Sequence, residues 1–392
     1  MYVTRPLSMY QRDPSALSLP PPEGPNSGIL VIQDEEAYQP TCCFGLCKSN
    51  LVRNLPFPQN KNLKVHYTRQ TGKHQQVYIN RVLFIPVLNL PLLSNQYYCI
   101  ERKGRHKGAA YRNSKEEDMK TYCFCSCISD LEPLSLDPQD IYQKFEIRHR
   151  KWGGFVAKSV PSDGFPPNFL RRKDWRVYAS SPPRELELKE APGLDKTVRA
   201  RLPDFNFPLS YRSPPPVVVG RWYCPFMFIR DGALKDQMDN SRYYEMTLEQ
   251  QWQQIFACES NYNEGNAVTV DVTVETEVVA VAGKEAMLQS EKNVIDGVMW
   301  FRSPDDVGGE AIVGLSLAVV ERMKWEQERF GWIGAKERQV RVKRVEEFGG
   351  RGGWRRFGCY VLVERFALKR MDGSLLLTYD FKHTQHIMSK WE

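Results

Sequence analysis

From residue 268 to residue 278 the chain alternates, with Val268, Val270, Val272, Val274 and Val278 on one parity and Thr269, Asp271, Thr273, Glu275 and Glu277 on the other. Successive side chains of a strand point to opposite faces, so this span reads as a strand with one apolar and one wet side. A strand wet on one side belongs to an antiparallel sheet, because parallel sheets are covered on both faces. The same idiom recurs at 29–32, 63–67, 77–87, 97–101 and 121–128, which are rich in β-branched and aromatic residues and mostly bounded by Pro, Gly or Asn. Near the end, 339–345 and 356–368 flank the loop Gly349-Gly350-Arg351-Gly352-Gly353, and Asp372-Gly373 turns 357–369 into 375–381. Both read as hairpins.

Helices are few. Thr247 and Gln250 form a capping box, and Leu248, Trp252, Ile255 and Phe256 recur at helical spacing. A second stripe, Leu315, Val319, Met323 and Phe330, predicts a helix over 315–330. A short helix is predicted over 138–145, with Asp137 as N-cap and Pro138 at the first helical position. Strands with a few helices and no βαβ alternation predict an α+β fold, strand-rich, with mainly antiparallel sheets.

A chain of 392 residues exceeds one ordinary core, which predicts two domains. Composition shifts divide it into a Pro-rich N-terminal arm (1–28), a strand-rich N-terminal domain (29–158), a Pro-rich connecting belt (159–216) and a C-terminal α+β domain (217–392). The start lacks the continuous apolar core of a secretory signal. Apolar runs such as 82–88 and 360–363 are far short of the roughly 20 residues of a spanning helix. Ten cysteines without such a signal, and no Asn-x-Ser/Thr site, predict reduced thiols in a cytoplasmic or nuclear protein.

Two cysteine groups, Cys42, Cys43, Cys47 and Cys123, Cys125, Cys127, could together approach a zinc ligand set. Cys43 and Cys47 have knuckle spacing, but the second group alternates, placing its thiols about 7 Å apart along one strand face. The favoured reading is packing as small hydrophobes, and no metal or cofactor is expected. Gly314-Leu315-Ser316-Leu317-Ala318 follows an apolar run and opens a helix, like a hydrolase elbow, with Asp372 or Asp380 and His383 or His386 in order behind it. Its final Gly is Ala and parallel strand–helix alternation is absent, so Ser316 reads as a helix-start residue. His383 and His386 lack further ligands nearby in sequence and read as packing or solvated side chains.

Charge is placed unevenly. Between 336 and 370 eleven Lys/Arg face four Glu, an excess matching the whole chain's +7. Arg341 and Lys343 alternate with Val340 and Val342, while Arg351, Arg355 and Arg356 sit about the Gly-rich loop beside Trp354 and Phe357. A cationic sheet face with aromatics suits phosphates, bases or an anionic lipid surface. The bland alternative is a solvated face balanced by Glu346, Glu347 and Glu364. A membrane-inserting hairpin at 268–278 is disfavoured by its acidic face and the absence of an aromatic girdle. No phosphate-cradling Gly loop, EF-hand or HExxH pattern is present.

The segments MYVTRPLSMY, ALSLPPPEGPNSG, LPFPQNKNL, LDPQDIYQKFEI, RWYCPFMFIRDG, MTLEQQWQQIF and LVERFALKRMDGSLLLTYDFKHT resemble a plant family of uncharacterised proteins, domain of unknown function 1262. The resemblance runs from Met1 to Trp391. It implies a plant source and brings no catalytic residues with it. RLPDFNFPL and FPPNFLRRKDW share the family pattern, so the belt is open to packing as well as flexing. Two function classes follow. One is a non-catalytic interaction or scaffold protein with protein partners; the other is a module for an anionic ligand, RNA or acidic phospholipid, bound through Arg341, Lys343, Arg351, Arg355 and Arg356. An unclassified hydrolase is the remaining alternative.

Overall fold

A strand buried on both faces loses its alternation, and its apolar residues then fall at any spacing. That accounts for residues 247–256, which were expected to be helical and instead lie inside the strand Tyr243–Glu259. The computed structural model describes all residues except 38–39, 43–46, 49, 72–73, 123–124, 261–265, 287–293, 305–308, 335–337 and 351–352. Among the described residues strand makes up 47% and helix, 3-10 turns included, 16%, so the protein is mainly β and the α+β expectation is corrected. The span 138–145 is likewise not an α-helix. Asp140 accepts from Tyr142 N to cap the 3-10 turn Ile141–Gln143, which leads directly into the strand Lys144–His149.

The chain divides into two compact units that interleave in sequence, Met1–Pro192 with Trp222–Tyr244, and Gly193–Arg221 with Glu245–Glu392. The first holds a seven-stranded antiparallel sheet ordered Phe155–Ser159, Lys144–His149, Gln96–Glu101, His74–Pro86, Asn62–Thr71, Arg176–Ser180, Leu51–Val52. One face of it carries the core of Leu63, Val65, Val82, Phe84, Cys99, Phe145, Trp175 and Val177, all at most 1% exposed. The Phe84 and Trp175 rings stack there, and Trp175 Nε1 donates to Leu170 O at 2.9 Å. A buried indole N–H usually finds such a partner. Residues 1–28 supply the strand Tyr2–Pro6, which runs parallel to Gly28–Ile32, and the helix Leu7–Arg12. Gly28 is required at that crossing, since a Cβ would meet the Tyr2 ring at 2.3 Å.

The second unit is built on the long hairpin Arg356–Lys369/Leu375–Trp391, turned at Asp372-Gly373 as the sequence predicts, with Gly373 at φ 86°. From Glu245 to Glu259 the strand Tyr243–Glu259 pairs with the first arm, and Glu277–Val281 pairs with the second. The alternating span 268–278 is divided. Ala267–Glu275 pairs in full register with Gln339–Glu347, so the latter is not the hairpin partner of 356–368. The break falls at Thr276, whose N–H and Oγ1 both donate to Arg338 O. The helix read over 315–330 is present as Leu317–Arg329 and follows the antiparallel hairpin Val298–Pro304/Glu310–Ser316. No described helix is long and apolar enough to cross a membrane.

Candidate functional site

The second unit's ionisable side chains converge in its interior. On the helix Lys196–Arg201, capped by Asp195, Arg199 is 4% exposed and forks onto Glu364 through Nε–Oε1 at 2.8 Å and Nη2–Oε2 at 2.6 Å. Its Nη1 donates to Glu326 Oε1 at 2.5 Å, and Arg322 Nη1 donates to Glu326 Oε2 at 2.8 Å. Gln250 Nε2 donates to Glu364 Oε1 at 2.8 Å, and the Phe330 ring lies 4.1 Å from the Arg199 guanidinium. Both glutamates are 0% exposed. A charge taken out of water is tolerated only with such close opposite charge and hydrogen bonding. His383, also fully buried, contacts Gln327 Oε1 through Nε2 at 2.9 Å. Burial lowers its pKa to about 4, Glu364 opposes that shift, and Arg199 and His386 add to it.

The hydrolase constellation is not assembled. Ser316 precedes the helix Leu317–Arg329 on an antiparallel strand, and its side chain makes no capping bond. The Asp380 carboxylate is held by Arg365 Nε and Nη2, both at 2.7 Å, and Asp372 accepts from Ser374. His383 is bonded to Gln327 and Gln385, and His386 stacks on Phe330. A nucleophile–base–orienter chain needs these groups in mutual hydrogen-bond reach.

Arg341, Lys343, Arg344, Arg355 and Arg356 are exposed, but several are matched. Arg341 Nε and Nη2 each reach Asp271 at 2.6 Å, Arg344 pairs with Glu346 at 3.2 Å and Arg356 with Glu259 at 3.3 Å. Lys343 stands opposite Asp271 in the register, and Arg355 is exposed. Among the described residues neither Lys343 nor Arg355 forms an ion pair. Arg351, Cys43 and Cys123 lie outside the described residues. Cys42 pairs with Cys47 across two short strands, Cys125 with Tyr122 and Cys127 with Lys120. Among the described residues no group of three metal-ligating side chains occurs.

The first unit carries two features that sequence reasoning missed. On its core face, Tyr67 and Tyr78 are directly opposite in register and their rings stack at 5.4 Å and 13°. They wall a cleft of about 300 Å³ together with Tyr111, Asn80, Phe169 and Arg172. The Arg172 guanidinium lies 5.6 Å from the Tyr67 ring, a cation–π arrangement. Asp130, also lining the cleft, accepts from Asn168 N–H at 2.9 Å and stands 3.5 Å from Arg171. Burial raises the Tyr67 and Tyr111 hydroxyl pKa values.

On the other face Lys64 is paired in register with Arg81, and Arg102 N donates to Arg81 O at 2.9 Å. Arg242, 9% exposed, reaches Asn62 Oδ1 through Nη1 at 2.5 Å and Met238 O through Nε at 3.3 Å. Burial, with Arg242 and Arg81 nearby, pushes the Arg102 pKa down to about 10. Arg102 Nε is itself buried and makes no hydrogen bond. A donor left so costs about 1–3 kcal/mol, and more on a charged group. The run Arg102-Lys103-Gly104-Arg105-His106-Lys107 is visible in the sequence as basic. Arg81 and Arg242 join it only through strand register and folding.

A family model described as Protein of unknown function (DUF1262) matches residues 23–124, a quarter of the chain lying within the first unit. No curated protein matches the sequence. Among solved structures, one titled Crystal structure of Cry35Ab1 is similar at a TM-score of 0.45 and 11% identity, over 85% of this chain and 90% of that chain. A likeness at that level carries no functional argument.

Proposed function

We propose that this protein is a non-catalytic interaction protein that engages a protein partner through the tyrosine cleft of its first unit. The observation that carries this reading is the composition of that cleft. Tyr67, Tyr78, Tyr111 and Arg172 gather around a solvent-open concavity, and Tyr and Arg are the residues that anchor interfaces when a partner's side chain fills the pocket they form. By contrast, the buried Arg199–Glu326–Glu364 cluster is closed to solvent, and each carboxylate is matched by a guanidinium. That arrangement suits structure better than turnover.

The test is selection of binding peptides from a displayed random library. Peptides selected on the wild-type protein are expected to bind Tyr78→Ala at least tenfold more weakly, with circular dichroism unchanged. Equal binding to Tyr78→Ala would remove the cleft from the account. Hydrolysis of an ester, phosphoester or glycoside panel that disappears in Ser316→Ala would overturn the non-catalytic reading.

A second reading places an anionic ligand, RNA or acidic phospholipid, on Arg341, Lys343, Arg351, Arg355 and Arg356. It is favoured by the exposure of Lys343 and Arg355 without ion pairs among the described residues. Binding there should weaken steeply between about 50 and about 200 mM salt. Indifference to salt counts against it.

A further inference from the structure

We propose that Lys64, Arg81, Arg102 and Arg242 form a phosphate-binding site on the second face of the first unit's sheet, apart from the tyrosine cleft. Four cations are brought together there from two strands, the residue that follows a third, and a later segment. Lys64 on Asn62–Thr71 faces Arg81 on His74–Pro86, and the pairing of Val82 with Glu101 sets Arg102 next to Arg81. Asn62, two residues from Lys64 and thus on the same strand face, holds the buried Arg242 through its side-chain oxygen. The following loop is closed by Gly108 N–H donating to Glu101 O at 2.8 Å.

Like charges are not collected at a half-buried place without a cost, and the usual remedy is a carboxylate. None is supplied here. Among the described residues no ion pair is formed by any of the four. Asp239, whose field reaches Arg242, forms its ion pair with Lys107 and is 65% exposed. Glu101 points to the opposite face, towards the Tyr111 hydroxyl at 3.4 Å. Arg102 Nε remains a buried donor without an acceptor. Guanidinium forks match the spacing of tetrahedral oxyanions and bind them through paired, charge-assisted hydrogen bonds. A phosphate would both cancel the repulsion and accept from that donor.

The source of the phosphate is either a small soluble ion or a phosphorylated lipid headgroup, and the experiment separates them. Inorganic phosphate is titrated into the full chain by calorimetry at constant ionic strength, with inositol hexakisphosphate and phosphoinositide-containing vesicles as parallel arms. Binding is expected in the wild type and should weaken at least tenfold in Arg102→Gln and Arg81→Gln. Lys64→Gln, at a half-exposed position that leaves the core untouched, should weaken it severalfold even if an arginine variant fails to fold. Tyr78→Ala should leave it unchanged, which keeps this site's fate separate from the cleft's. Vesicle and inositol-phosphate binding far tighter than inorganic phosphate, and lost in Arg102→Gln, supports the site and assigns a headgroup; comparable affinities support it and assign the small ion. No binding by any probe, or equal binding in the wild type and all three cation variants, overturns the proposal.

Discussion

Arg199 in the second unit and Arg102 in the first are both drawn away from water, yet their surroundings are opposite. Arg199 meets two carboxylates within 2.6 Å and a third acceptor at Glu326 O. Arg102 meets Arg81 and Arg242, and its Nε has no acceptor. A charge whose partners are internal is committed to the fold, since separating it from them exposes uncompensated charge to a low dielectric. A charge whose neighbours repel it is available to something from outside. The comparison assigns structure to the first arginine and recognition to the second.

The largest effect should come from Arg199→Met, which strands Glu364 in the interior and leaves Glu326 to Arg322 and Arg329. A loss of about 3–5 kcal/mol is expected in urea unfolding. Adding Glu364→Gln should recover much of it, and a single variant as stable as the wild type would remove the structural half of the comparison.

Next is His383. Its folded pKa lies below the unfolded value of about 6.5, at about 4. The unfolded chain therefore takes up the proton first as pH falls. The stability this residue contributes is complete above about pH 6.5 and is lost on acidification through about pH 4, on the order of 3 kcal/mol in all. Unfolding midpoints followed from pH 7 to pH 4 should fall more steeply in the wild type than in His383→Gln. Parallel slopes would mean that the imidazole is not held neutral by burial.

A smaller change is expected for Arg102→Gln in phosphate-free buffer, within about 1 kcal/mol of wild type and of either sign. Relief of repulsion and loss of packing oppose each other there. A loss as large as that of Arg199→Met would show that Arg102 is also structural. The smallest effect belongs to Arg341→Gln. Its Asp271 pair is exposed, and such pairs are screened by water and salt, so the melting temperature should not move measurably.

The backbone pattern was legible where one face is wet and the chain turns on glycine. The alternation about Val268–Val274 and the Asp372-Gly373 turn are local signals, and the structure realises both. The segment around Thr247 and Trp252 carries an accidental helical spacing because its strand is covered on both sides as far as Trp252 and shifts register between Gln254 and Phe256, which removes the period of two. The polar sites were illegible for a different reason. Arg199 lies 127 residues from Glu326 and 165 from Glu364, and no local signal joins them. Conversely, the C-terminal excess of positive charge was plain in the sequence, but its balance by Asp271 and Glu259 depends on strand pairing.

The contrast between committed and available arginines is tested most directly by the rise in urea midpoint on adding inorganic phosphate at constant ionic strength. It should be compared across wild type, Arg199→Met and Arg102→Gln. A ligand that binds only the folded state raises the midpoint by mass action, whatever the starting stability. Arg199→Met should begin far lower and rise in free energy as much as the wild type, while Arg102→Gln should begin near the wild type and not rise. A phosphate increment that persists in Arg102→Gln, or vanishes in a folded Arg199→Met, would contradict the assignment of recognition to one arginine and structure to the other.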